Sequence, residues 1–313
     1  MTTSALLDND IEQAFPTDPA TPADRDARLN CLRELHQHYM GYFVPPEESA
    51  ELGEWTTPPR VARIEAAWNG YEEARALAST PLPAAAAEFR DWYFAFAAQH
   101  EYPEFCGYLR ERGTLLDVGM LMLAEEKVDG RFDDIIALSQ VGTSGITKMT
   151  IAENFWDEMG NGEPSGVHTD MFDHSTSWFR REVVQRAGVE EDLLEQPEVY
   201  NNAVNLLMYG LRRRYALRSL AGIGLLEQTA PARFQATVDA SRRLGVPQDV
   251  VRYQEVHVHV DEDHGREWFE HVFVPILERR PDTVHEIALG VAIRGAIASE
   301  FYRRIQDDFF GLG

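Results

Sequence analysis

What most limits how this 313-residue chain can fold is an almost unbroken succession of helical apolar spacings. The spacing predicts helices near 26–41, 60–77, 83–100, 103–128, 133–141, 146–160, 168–188, 197–228, 232–245, 247–279 and 282–310. Strand-like alternation is nearly absent, and the breaks carry Pro or Gly where helices end, as in TPLP at 80–83 and RRPD at 279–282. The expected fold is therefore all-α. The run 197–228 is long for one globular helix and contains Gly210, Gly222 and Gly224, so a kink or split is expected there. The Pro-, Thr- and Asp-rich residues 1–25 read as a flexible leader, 26–80 as an N-terminal helical extension, and 81–313 as the main helical bundle.

Charge and cysteine content narrow the chemistry. Asp and Glu number 52 against 29 Lys and Arg, and the net charge of -23 would repel nucleic acid and anionic lipid. No stretch approaches the ~18 apolar residues of a membrane span, and the N-terminus lacks a basic segment followed by an apolar core. A cytoplasmic protein is expected. Cys31 and Cys106 are too few for a disulfide framework or a thiolate metal site, so a metal here would be held by His, Asp and Glu. No glycine-rich nucleotide loop follows a strand and no CxxC pair occurs, so reducing equivalents for any redox reaction would come from outside.

Three segments concentrate possible ligands. In VRYQEVHVHVDEDHGREWFEH (251–271), a helix at ~100° per residue puts Asp261 about 40° from His257 and His264 about 20° to the other side, one narrow face. The same residues also read as a strand of alternating Val and His followed by an acidic turn. In ENFWDEMGNGEPSGVHTD (153–170), Glu158 ends a helix with Ile151, Phe155 and Met159 on one stripe, GNGEPSG breaks it, and His168 opens the next. A plain helix cap with surface Glu and His fits that spacing equally. In LLDVGMLMLAEEKVDGRFDD (115–134), the face of Leu115, Val118 and Met122 brings Glu125 or Glu126 near a core at the helix end. Carboxylates and imidazoles from separate helices of one bundle are what dinuclear carboxylate sites use, since carboxylates bridge and neutralise two cations.

On Glu125 or Glu126, then NFWDEMGNG with Glu158, then His168, then His257-x3-Asp261-x2-His264, residues 85–310 resemble the haem-oxygenase-like diiron oxidases and oxygenases, also described as iron-containing redox enzymes. The resemblance implies a seven-helix haem-oxygenase-like bundle holding two Fe ions that react with O2. Its ligands would be Glu125 (Glu126 the alternative), Glu158, His168, His257, Asp261 and His264. Glu227 stands where some relatives place a further carboxylate, although from the residues alone it reads as a surface glutamate at a helix end. Members N-oxygenate amines or guanidines, or fragment amino acids or fatty acids to alkenes. The resemblance thus implies an oxidoreductase of natural-product biosynthesis acting on a small amine, amino acid or related nitrogen-containing metabolite. An external electron donor is implied, with room for a homodimer and a separate reductase. Two other readings stand beside it. FDDII at 132–136 resembles part of the magnesium motif of terpene synthases, though its third acidic residue is missing, and the same ligands would serve a non-catalytic iron-binding bundle.

Overall fold

The computed structural model describes residues 3–18, 20–49, 56–308 and 310, with the side chains of 3–8, 191 and 259–263 outside the description. Helices account for nearly all regular structure: α1 (Thr3–Ala14), α2 (Arg25–Met40), α3 (Pro59–Ser79), α4 (Phe89–Ala98), α5 (Pro103–Glu111), α6 (Leu115–Asp129), α7 (Phe132–Ser139), α8 (Gly145–Glu158), α9 (His168–Phe179), α10 (Pro197–Leu211), α11 (Ala216–Leu244), α12 (Gln248–Glu267), α13 (Val274–Arg279) and α14 (Val284–Asp308). Short single turns join several of them. Among the described residues the only β pairing is an isolated bridge between Met159 and Val167, and no helix is long and apolar enough to cross a membrane.

Several boundaries depart from the sequence expectation for local reasons. The helix expected over 103–128 splits into α5 and α6. A Cβ on Gly113 would sit 2.7 Å from the Leu109 carbonyl oxygen, and Thr114 and Asp117 close a reciprocal capping box that starts α6. The long run at 197–228 does break, at Arg212–Tyr215 rather than at a glycine. Beyond it α11 continues through Pro231, joining the two helices expected at either side, because its two faces are packed against α12 and α14. The helix expected over 247–279 opens into a wider π turn at Trp268–Phe273 just before Pro275, which has no N–H to close an ordinary α turn.

Residues 1–25, expected as a flexible leader, contain helix α1, and Ile11, Ala14 and Phe15 are buried in one cluster with Leu32, Trp68 and Tyr93. The extension shares its core with the bundle. Trp68 on α3 donates from Nε1 to Asn201 on α10 at 2.6 Å, and Arg28 and Arg75 meet Glu72 and Glu300 at 2.8–3.2 Å. A second apolar cluster gathers α6, α9, α11 and α12 around Phe172, Phe234 and Tyr253. Ile151 of α8 belongs to the first cluster and Tyr253 of α12 to the second.

Candidate metal centre

The loop after α8 decides the site. Gly160, Asn161 and Gly162 all have positive φ (61°, 55° and 85°), a conformation open to Gly and tolerated by Asn. At Gly160 a Cβ would fall 2.4 Å from the Gly166 carbonyl carbon, so the two glycines let the loop double back on itself. The Met159–Val167 bridge closes it. Glu158, the last residue of α8, is thereby set against His168, the first residue of α9: His168 Nδ1 lies 3.1 Å from Glu158 Oε2. The alternating HVHV run of the third segment is helical, in α12, and its His257 Nε2 lies 3.8 Å from Glu158 Oε1. Glu158, His168 and His257 are each at most 4% exposed. One donor atom from each lies within 4.8 Å of the others, close enough to share a metal ion.

Orientation within the trio is fixed by neighbours. His257 Nδ1 lies 2.8 Å from the Tyr253 carbonyl, which only accepts, so Nδ1 carries the proton and Nε2 presents its lone pair toward Glu158. His168 Nδ1 makes no hydrogen bond despite its nearness to the carboxylate. A buried ring nitrogen facing a carboxylate oxygen without a hydrogen bond is the arrangement expected of two ligands meant for a cation between them. Burial alone would raise the Glu158 carboxyl, but the His168 and His257 rings bring it down to about 2.

Seven residues along α12, His264 forms a second grouping about 10 Å further up the helix axis. Its Nε2 lies 3.0 Å from Asp157 Oδ2, and its Nδ1 lies 2.7 Å from Asn154 Nδ2 and 3.4 Å from Glu227 Oε2. Glu227 is buried, facing His264 rather than solvent. Gly265 makes this possible: a Cβ there would sit 2.8 Å from the Gln228 backbone, so α11 and α12 cross closely beside both residues. Asp261 lies between His257 and His264 in α12, but its side chain is outside the described residues.

The glutamates of α6 divide. Glu126 is half-buried and pairs with Arg180 at 2.7 Å. Glu125 is buried, accepts from Arg233 Nη1 at 2.8 Å and from the Tyr302 hydroxyl at 3.4 Å, and stands outside the trio. Burial raises its carboxyl to about 7 against the opposing pull of Arg233. One turn further, Asp129 is buried with Oδ2 free of hydrogen bonds. Burial raises its carboxyl, and its electrostatic neighbours include Arg233, His257 and Glu158. Sequence reasoning passed over Asp129 as a ligand, yet its i,i+4 relation to Glu125 on an apolar helix was a usable signal. Asn154 was also missed; it lies one turn before Glu158 on the same face of α8.

Asp129, Glu158 and Glu227 are thus three buried carboxylates among three imidazoles, and among the described residues no guanidinium or ammonium forms an ion pair with any of them. Such a surplus of buried negative charge is costly unless a cation offsets it. Carboxylate oxygen and imidazole nitrogen are donors that suit iron, so the residues present fit the metal.

A family model described as "Iron-containing redox enzyme" matches residues 124–297, more than half of the chain and the span that holds every candidate ligand. No curated protein matches. The chain belongs to the iron-containing redox enzyme family, and is an iron-dependent oxidoreductase with the all-α, haem-oxygenase-like fold that its sequence led us to expect.

Proposed function

We propose that the chain is an O2-dependent, non-haem diiron oxidase or oxygenase acting on a small amine, amino acid or related nitrogen-containing metabolite. The observation that carries this reading is the pair of donor groupings along α12: Glu158, His168 and His257 with Asp129 nearby, and His264 with Glu227 two turns on. Glu125 and Asp261 complete the proposed ligand set. Bound ferrous iron would supply the electrons that reduce dioxygen, with an external donor restoring them.

The chain's own residues hold and dry the site. Tyr253 fixes the His257 tautomer, and Asp157, accepting from His264 Nε2, leaves Nδ1 of that ring, beside Asn154 and Glu227, as the nitrogen that would meet a metal in place of the Asn154 amide. Phe234 and Tyr253, with ring centres 4.7 and 4.2 Å from that of His257, keep water from one side. The magnesium-dependent alternative has less support. Asp133 accepts from the Thr169 hydroxyl and Asp134 pairs with Arg131, neither is among the trio of candidate ligands, and the family is an iron one.

The test is anaerobic Fe(II) titration of the metal-free protein followed by exposure to dioxygen, read by optical and Mössbauer spectroscopy, with His264→Ala as control. Two irons per chain and an oxygen-dependent spectral change that the variant lacks are expected. A single iron would exclude the dinuclear reading, no uptake would exclude iron chemistry here, and uptake of iron inert to oxygen would favour the non-catalytic iron-binding bundle.

A further inference from the structure

A cavity of about 30 Å³ lies against α6, on the side where Asp129 approaches the trio, and is walled by Asp129, Glu125, Asn202, Arg233, Arg294 and Tyr302 among others. That volume accommodates about two water molecules, or one group the size of a carboxylate. Two arginines line it, and they differ. Arg233 is matched by Glu125 at 2.8 Å. Arg294, only 5% exposed, hydrogen-bonds through Nη1 alone, to the backbone and side-chain oxygens of Asn202 at 3.2 and 2.8 Å.

Among the described residues no carboxylate lies within ion-pair distance of Arg294, and its Nε and Nη2 donate no hydrogen bond. Elsewhere in the fold buried arginines are matched: Arg28 by Glu72 and Glu300, Arg218 by Glu73 and Glu286. A guanidinium kept in the interior without a directly paired carboxylate is unfavourable for folding, and its planar fork of donors fits one in bidentate fashion. Asp129, on the same wall, is the carboxylate nearest Arg294 by electrostatics without forming an ion pair: its electrostatic neighbours are Arg233, His257, Glu158 and Arg294.

We propose that this cavity is a carboxylate subsite of the substrate pocket, with Arg294 taking the carboxylate and Tyr302 and Arg233 beside it. The inference rests on the reading of the neighbouring cluster as the oxidising centre. It specifies the substrate further: an acid, such as an amino acid, held by its carboxylate with the rest of the molecule directed past Asp129 toward the metal ligands. A simple amine would leave Arg294 unmatched. Arg294 is a binding residue here and takes no part in electron or proton transfer.

The test uses the full-length chain stripped of metal, so that a carboxylate cannot bind through iron, and compares propionate with propionamide by ligand-observed NMR titration. Propionate is expected to bind about 30-fold or more tightly than the amide, the loss that follows when one partner of a buried charge pair is removed. Arg294→Gln should abolish the preference. Asn202→Asp should do the same with little change in shape, by placing a carboxylate against Arg294 Nη1, and it decides the matter where Arg294→Gln fails to fold. Equal binding of the two probes, no binding of propionate, or unchanged preference in Asn202→Asp would overturn the proposal. Fe(II) uptake measured in parallel separates the two claims: iron uptake without a propionate preference removes the subsite alone, and the preference without iron uptake removes the oxidising centre and leaves the anion site.

Discussion

Two buried clusters of charge hold this molecule's interior together in different ways. Where the N-terminal extension meets the bundle, Arg28, Arg75, Glu72 and Glu300 form a closed set in which each carboxylate meets a guanidinium, and Asn201 donates to Glu72 as well. Where the end of α8 meets α12, carboxylates meet imidazoles instead, and among the described residues His168 Nδ1 and Asp129 Oδ2 have no hydrogen bonds and no arginine pairs with Glu158 or Glu227. The first cluster is electrically complete with protein groups alone. The second is completed only by something that brings positive charge. The difference teaches that burial of charged residues does not by itself mark a site; the absence of an internal counter-charge does.

The largest effect that would sharpen or break this contrast is in the closed cluster. Glu72→Ala leaves Arg28 and Arg75 short of a partner and should destabilise the fold by about 3–5 kcal/mol in urea denaturation while leaving iron uptake intact; a change under about 1 kcal/mol would mean the cluster is not the matched structural network described. Acid should act on the same cluster. Burial would raise the Glu300 carboxyl, but Arg28 and Arg75 bring it down to about 2. A depressed carboxyl contributes stability that is present above its unfolded value near 4.5 and lost as pH falls toward 2. Replacing it by Gln should therefore flatten that acid limb, by on the order of 3 kcal/mol, in melts taken across pH 2–5.

Smaller effects are expected on the open side. Asp157→Ala removes the carboxylate that accepts from His264 Nε2 and so orients the ring. Iron affinity should weaken by about tenfold in a competition titration, as for other residues that orient a ligand; unchanged affinity would place His264 outside the metal centre. Glu126→Ala breaks only the half-exposed pair with Arg180. Stability should shift by less than about 1 kcal/mol with full iron content, and loss of iron there would transfer the ligand role from Glu125 to its neighbour.

Much of this was legible in the sequence because it is local. Helical spacing, the GNGEPSG reversal and the register of His257 and His264 are all set within a few residues of chain. Even so, HVHV was ambiguous between strand and helix until packing on α11 decided it. What stayed hidden depends on which helices touch. Glu227 reads as a surface residue until Gly265 lets α11 and α12 cross beside it, and Asp129 emerges only when α6 lies against the trio. Where Glu125 and Glu126 sit likewise depends on tertiary contacts: Arg233, Tyr302 and burial on one side, Arg180 and solvent on the other.

The central claim is that Glu158, His168 and His257 together hold a cation. Unfolding of the wild type and of Glu158→Gln, each with and without Fe(II) under anaerobic conditions, tests it most directly. Without metal the substitution should cost no more than the roughly 3 kcal/mol that the lowered Glu158 carboxyl implies, since His168 and His257 already favour its charge. With Fe(II) at a hundred times its dissociation constant the wild type alone should gain about 2.7 kcal/mol. A variant that iron stabilises as fully as the wild type would contradict the account.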